Sequence, residues 1–303
     1  MTRAARRSYA AGVLAALSLA LPAMPARAYL AAGDRVFAPT LVLPQFAPGD
    51  EFYNWDDTEP QTPAGPGSTR HDSNFTAVWD KTLTDQLGLT VEETWTQLDR
   101  VDRSPWFGWQ NLDTEIKYEA IDNQPHEFLL TLGLDREWGG TGAARVGAFA
   151  AGATTPRLYL AKGMGDLDIG LWRPLAAGAL IAYQIADAAP RPSLYTPGFF
   201  IEYSIPYLES KVETLALPDF VRHLTPITEV QFSIPSGPSY GARTTAMIAP
   251  GISYAGEGWE LGAEALIGGT RATGRGIGVI AQLHVALDYL FPESIGRPIL
   301  GGP

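Results

Sequence analysis

Through most of this chain, apolar and polar residues alternate one by one. Phe75, Ala77 and Trp79 interleave with Asn74, Thr76 and Asp80; beyond a turn at Asp85-Gln86, Leu87, Leu89, Val91 and Trp95 interleave with Gly88, Thr90, Glu92 and Thr94. Leu112, Thr114, Ile116, Tyr118 and Ala120 oppose Asp113, Glu115, Lys117 and Glu119, and a turn at 122–125 leads to Phe128, Leu130, Leu132 and Leu134 against Glu127, Thr131, Gly133 and Asp135. The same grammar returns in Phe199–Ile205, Val230–Ile234, Trp259–Gly268 and, longest of all, Val279–Phe291. Period two puts successive side chains on opposite faces of a strand. Weaker alternation predicts strands over 143–153, 173–187 and 243–255. With one more near 49–56 the count is twelve, and ten is the main alternative. Residues 154–172 and 210–225 read as long loops, the second with charges that break the alternation.

Alternation suits two environments. A soluble sandwich turns its apolar face inward, whereas a transmembrane barrel turns it to lipid and its polar face to the lumen. Predicted strands of about 10–14 residues exceed the roughly 5–6 usual in soluble sheets and match a tilted bilayer crossing. Aromatic residues fall near strand ends on the apolar face: Trp79, Trp95, Tyr118, Trp138, Tyr203, Tyr207, Trp259, Tyr289 and Phe291. Such positions build interfacial girdles. The opposite face is small, glycine-containing and acidic. The expected fold is therefore all-β, an antiparallel transmembrane β-barrel, closed because hydrocarbon leaves no edge strand a hydrogen-bonding partner.

The N-terminus refines this picture. Arg3, Arg6 and Arg7, an apolar run from Ala10 to Leu21, and Ala26-Arg27-Ala28 form a secretory signal with cleavage expected before Tyr29. The apolar run is too short for a membrane helix. Export to the outer membrane, in contact with its lipid, follows as the expected localisation. Residues 29–70, rich in Pro, form an irregular segment that serves as a lumen plug, a linker or a first strand; the barrel is expected over 71–291 and a tail over 292–303. Tyr289-Leu290-Phe291 resembles the aromatic terminal signal read by barrel-assembly machinery, although twelve residues follow it.

Composition removes other classes. The 303 residues contain no Cys, which excludes disulfide scaffolds and thiolate metal sites. Acidic residues outnumber basic ones 33 to 22, a formal charge of −11 that becomes −15 once the four signal arginines are gone. A nucleic-acid partner would need the reverse balance. With 32 Gly and 24 Pro the chain carries the punctuation of many strands and turns.

Lys162-Gly-Met-Gly-Asp-Leu167, Leu171-Trp-Arg-Pro174, Pro206-Tyr-Leu-Glu-Ser-Lys-Val212, Pro250-Gly-Ile-Ser-Tyr254 and Trp259-Glu-Leu-Gly262 carry a resemblance over roughly residues 73–291. In these motifs the chain resembles a family of outer-membrane transporters labelled "MetA-pathway of phenol degradation". The resemblance implies a barrel of the outer-membrane superfamily and uptake of apolar or aromatic compounds; it brings no catalytic residues.

The chemistry predicted from the residues is concentrated on the lumen face: Glu92, Glu115, Lys117, Glu119, Glu127, Asp135, Glu202, Glu229, Gln231, Glu264, Gln282, His284 and Asp288. Carboxylates lining a pore favour cations; the same set, paired with Lys117 and arginines, would merely fill a narrow barrel. Both roles stay open. His284 lies on the lumen face, away from the lipid side where an acyl-chain hydrolase would need it. His71, His126 and His223 lack metal-ligand spacing, and Gly163-Met-Gly-Asp166 lacks the strand–helix context of a phosphate loop. No catalytic residue, metal or cofactor is predicted. The expected function is passive passage of small solutes through a porin-like barrel; the alternative is a non-transporting structural or anchoring barrel.

Overall fold

The computed structural model describes residues 30–60 and 65–300, so the signal segment and its cleavage site lie outside the described residues. Twelve antiparallel strands make the barrel: β1 (Glu51–Pro60), β2 (Thr69–Thr82), β3 (Leu87–Arg100), β4 (Arg103–Trp109 and Asp113–Asn123), β5 (Phe128–Glu137), β6 (Ala153–Gly163), β7 (Leu175–Ala186), β8 (Ser193–Tyr195 and Gly198–Tyr203), β9 (Leu224–Ser236), β10 (Thr245–Ala255), β11 (Trp259–Gly268) and β12 (Ile277–Ala286). Each pairs with the next in the chain. Pairing of β12 with β1, from Val279↔Thr58 to Ala286↔Glu51, closes the ring. β4 and β8 are each interrupted; in β8 the break falls at Thr196-Pro197, where proline has no N–H for the ladder.

The faces follow the alternation. Ile116, Leu132, Leu134, Ile181, Ile201, Leu261 and Val279 are exposed, whereas Glu115, Lys117, Thr131, Glu202, Glu264 and Gln282 are buried. In an isolated barrel this inversion identifies the outer surface as the lipid face. Aromatic side chains ring it at two levels. Phe52, Trp79, Tyr118, Trp259, Tyr289 and Phe291 are exposed at the near end, where β1 begins and β12 finishes; Trp95, Trp109, Trp138, Tyr183 and Tyr195 are exposed at the far end. Tyr203 is half-buried at the near end.

Three expectations are corrected. The strand placed at 143–153 lies instead at Ala153–Gly163, in the stretch read as a loop, while Ala144–Val146 form a 3₁₀ turn. Glycines at 139, 140, 142, 147 and 152 break up the earlier stretch, and Pro156 sits exposed within β6, obscuring its alternation. The last strand stops at Ala286: Leu287–Leu290 form a helical turn whose Leu287 is buried, its N–H donating to Asp50 O at 2.8 Å. Tyr207, expected in a girdle, is buried. It follows Ser204, which caps a short helix rather than extending β8, its hydroxyl accepting from Tyr207 N.

Most of the described N-terminal residues before β1 are buried inside the barrel, while Gly33, Asp34 and Val36 are exposed at its near end. A minimal hairpin, Ala31–Ala32 with Arg35–Val36, turns at Gly33 (φ +61°), where a side chain would meet the Gln124 carbonyl. Phe37, Leu43 and Phe46 pack with Leu129, Tyr159, Leu180 and Phe200 of the wall, and Leu41 packs with Ala249, Leu266 and Ile280. The core of the molecule is thus the interface between this segment and the barrel interior.

If the outer face meets lipid, Leu132→Lys, in the middle of β5, should lower stability by about 2–4 kcal/mol in urea-dependent folding into lipid vesicles. Gln86→Lys in an exposed near-end turn should change it by less than about 0.5 kcal/mol. Equal costs at the two sites would contradict the assignment of the faces.

Candidate functional site

Residues 30–46 are apolar and proline-punctuated, Phe37-Ala-Pro-Thr-Leu-Val-Leu-Pro-Gln-Phe46, with no alternation that would let them join a sheet. A segment inside a lumen still carries backbone donors that must be satisfied. Pro39 and Pro44 have none to satisfy. Carboxylates projecting from the wall accept from others: Ala38 N donates to Glu202 Oε2 at 2.9 Å, and Leu41 N and Leu43 N donate to the two oxygens of Glu229 at 2.5 and 2.7 Å, with Val42 N between them at 3.2 Å. Gln282 Nε2 reaches Thr40 O at 3.4 Å. Small wall residues make room: a β-carbon on Gly262 would stand 2.8 Å from Leu41, and one on Gly198 2.4 Å from Leu43.

Toward the near end Arg35 locks the segment. It is wholly buried, with Nε 3.3 Å from Glu127 Oε2, and it donates to the carbonyls of Arg173, Pro174 and Leu175. Its guanidinium lies 4.0 Å from the centre of the Tyr207 ring, and Tyr207 Oη donates to Glu127 Oε1 at 2.8 Å. Gly165 N also donates to Glu127. One cation therefore joins the segment to both long near-end loops.

Toward the far end the lumen is not filled. A cavity of about 300 Å³ is floored by residues 40–44 and walled by Tyr53, Trp55, Glu92, Asp113, Asp135, Glu137 and Arg157 among others. Part of the acid in and around it is neutralised. Arg157 lies 2.8 Å from Glu115 and 3.3 Å from Asp135, Tyr159 Oη donates to Glu115 at 2.7 Å, Lys117 lies 3.5 Å from Asp80, and Arg191 forks onto Glu137. Low-dielectric surroundings make such pairs costly to break from one side.

The predicted lumen residues therefore scatter over several environments. Glu127, Glu202, Glu229 and Gln282 hold the N-terminal segment. Glu115, Lys117 and Asp135 form the ion-pair network, and His284 Nε2 sits 2.9 Å from Glu51 within the wall. Glu264 is buried, while Glu92, Glu119 and Gln231 are half-buried, with Glu92 and Gln231 lining the cavity. Asp288 is not on the lumen strand at all: it lies in the helical turn beyond β12. Missing from the predicted set are Arg35, Tyr53, Asp113, Arg157 and Arg191. Asp113 stood on the polar face of a recognised strand. Arg35 and Arg157 stood in stretches without readable alternation, so no phase marked them as inward. Among the described residues no His, Asp and Glu side chains gather in a group suited to a metal ion.

No protein-family model and no curated protein sequence matches the chain. Among solved structures it is similar to the KdgM porin (TM-score 0.47, 14% identity, covering 78% of this chain and 98% of that one). It is also similar to LpxR from Salmonella typhimurium (TM-score 0.43, 10% identity, 77% and 99% covered). A third is the translocator domain of the autotransporter NalP from Neisseria meningitidis (TM-score 0.37, 11% identity, 78% and 86% covered). These are likenesses of barrel architecture.

Glu229→Ala removes the acceptor shared by the N–H groups of Leu41, Val42 and Leu43, and losing a charged acceptor costs about 1.5–3 kcal/mol. Hydrogen exchange of peptides spanning residues 38–46 should accelerate at least about tenfold, with the wall strands unchanged. Unaltered exchange there would mean that Glu229 does not hold the segment.

Proposed function

We propose that the chain is an outer-membrane channel for small polar solutes, kept closed by its own N-terminal segment. One observation carries this reading: among the described residues, 30–46 form no ladder with any barrel strand and are held only by side chains. The segment can therefore leave without opening the ring of twelve strands. A barrel of that size lies between eight-stranded barrels, which side chains fill, and those of 16–18 strands, which hold an aqueous channel. With the segment in place the lumen is blocked; with it withdrawn, a polar passage remains. Signal-directed export with loss of residues 1–28 belongs to the same proposal, and N-terminal sequencing of the membrane protein should begin at Tyr29.

The cavity wall is mainly acidic and hydroxylic, which favours polar or positively charged solutes over the apolar compounds implied by the resemblance to the phenol-degradation transporters. The second reading, a permanently closed anchoring barrel, draws on the dense apolar seating of Phe37, Leu41, Leu43 and Phe46. Planar-bilayer recording separates the two. The mature chain should be closed nearly all the time, whereas a variant lacking residues 29–48 should show stable open channels of much larger mean conductance. If neither form conducts, the barrel is structural.

A further inference from the structure

Among the described residues, two carboxylates of the far-end cavity have no cation within ion-pair distance. Glu92 on β3 and Asp113 on β4 are register partners, directly opposite each other on adjacent strands, an arrangement in which like charges destabilise a sheet. Both line the cavity. The neighbouring cations are committed elsewhere: Arg157 to Glu115 and Asp135, Lys117 to Asp80.

A second group on the same wall also lacks a protein partner among the described residues. Tyr53 is 4% exposed and lines the cavity beside the two acids, yet its hydroxyl has no hydrogen-bond partner among the described residues. That oxygen is free to accept from a molecule in the cavity. Trp55 stacks on Tyr53 with ring centres 6.0 Å apart and 19° between the planes, and it too borders the cavity. The volume, about 300 Å³, is at the lower end of small-molecule sites.

We propose that this cavity binds a small organic cation with a primary ammonium head. An ammonium brings three donors and one positive charge. It can bridge Glu92 and Asp113, relieve their repulsion and offer a donor to Tyr53 Oη, while its carbon body packs against Trp55. A divalent metal ion fits less well, because among the described residues the site lacks a converging third ligand of the carboxylate or imidazole kind. The inference names the solute class for the channel proposed above, and rests on that reading only in taking the cavity as the outer station of a solute path.

Calorimetric titration of the refolded mature chain tests it, with phenethylammonium, its neutral analogue 2-phenylethanol, phenylacetate and magnesium chloride as separate probes. Phenethylammonium should bind saturably and the other three should not. The Glu92→Gln/Asp113→Asn double variant should weaken binding at least about tenfold, as loss of charge-assisted bonds requires. Tyr53→Phe, which removes one hydroxyl, should weaken it about threefold and keeps the test alive if the double variant does not show the heat-modifiable gel mobility of a folded barrel. Equal binding of the alcohol, binding of magnesium alone, or undiminished binding in both variants overturns the site. If the variant lacking residues 29–48 conducts but the mature chain binds no phenethylammonium, the cation site fails while the closure reading stands. If the mature chain binds phenethylammonium and neither form conducts, the cation site stands and the channel fails.

Discussion

The carboxylate of Glu229, accepting from three consecutive backbone N–H groups of the inserted segment, is where two demands of this structure meet. Lipid outside the wall requires an unbroken ladder and an apolar outer face. Strand geometry then sends every second residue inward, and these inward positions carry the acids. An extended segment inside the lumen has the converse difficulty, donors without a ladder. Each side supplies what the other lacks: Glu202 and Glu229 give acceptors to the segment, and Arg35 of the segment gives charge to Glu127. The closed lumen is a consequence of that complementarity as much as of apolar packing.

The inward acids consequently divide by partner. Glu127, Glu202 and Glu229 face the segment. Asp80, Glu115, Asp135 and Glu137 are neutralised by Lys117, Arg157 and Arg191 within the wall. Among the described residues Glu92 and Asp113 have neither kind of partner. A uniform lining of carboxylates would give selectivity spread along the whole lumen. At the cavity the acids without a cation are Glu92 and Asp113, between β3 and β4 beside Tyr53 and Trp55, whereas Glu264, both of whose carboxylate oxygens are buried without a partner among the described residues, lies outside it. The formal −15 expected for the chain without its four signal arginines is thus a poor guide to the field inside the lumen.

Much of the barrel was legible in the sequence because lipid-facing strands obey period two over ten or more residues. β2, β3, β5, β11 and most of β12 follow it directly. β6 did not, since Pro156 interrupts the reading and the glycine-rich stretch before it mimics weak alternation. The end of β12 was overrun because Leu287, Tyr289 and Phe291 continue the alternation after the backbone has turned into a helix; phase alone does not register the hydrogen bond from Leu287 to Asp50 that ends the strand. The site was legible only in part. Inward phase identifies Glu115, Glu202 and Glu229, but a partner in an irregular segment has no phase, so Arg35 and the donors at 38–43 were invisible. Tyr207 shows the opposite error: an aromatic near a strand end has the pattern of a girdle residue, and only the Ser204 cap turns it inward toward Arg35.

The forces holding the segment differ in what the withdrawal proposed above would do to them. Truncating one member of the Arg35–Glu127 pair strands a charge in the closed interior, and such losses cost about 3–5 kcal/mol. Withdrawing the whole segment does not: water enters, and Arg35, Glu127, Glu202 and Glu229 all regain hydration, so the polar bonds are exchanged rather than lost. The apolar contacts have no such replacement. Burying a side chain such as those of Phe37, Leu41, Leu43 and Phe46 is worth about 1.5–3 kcal/mol each, and that term is forfeited on opening. Polar anchors therefore set where the segment sits and in what register, while its four large apolar side chains would set the cost of the proposed withdrawal.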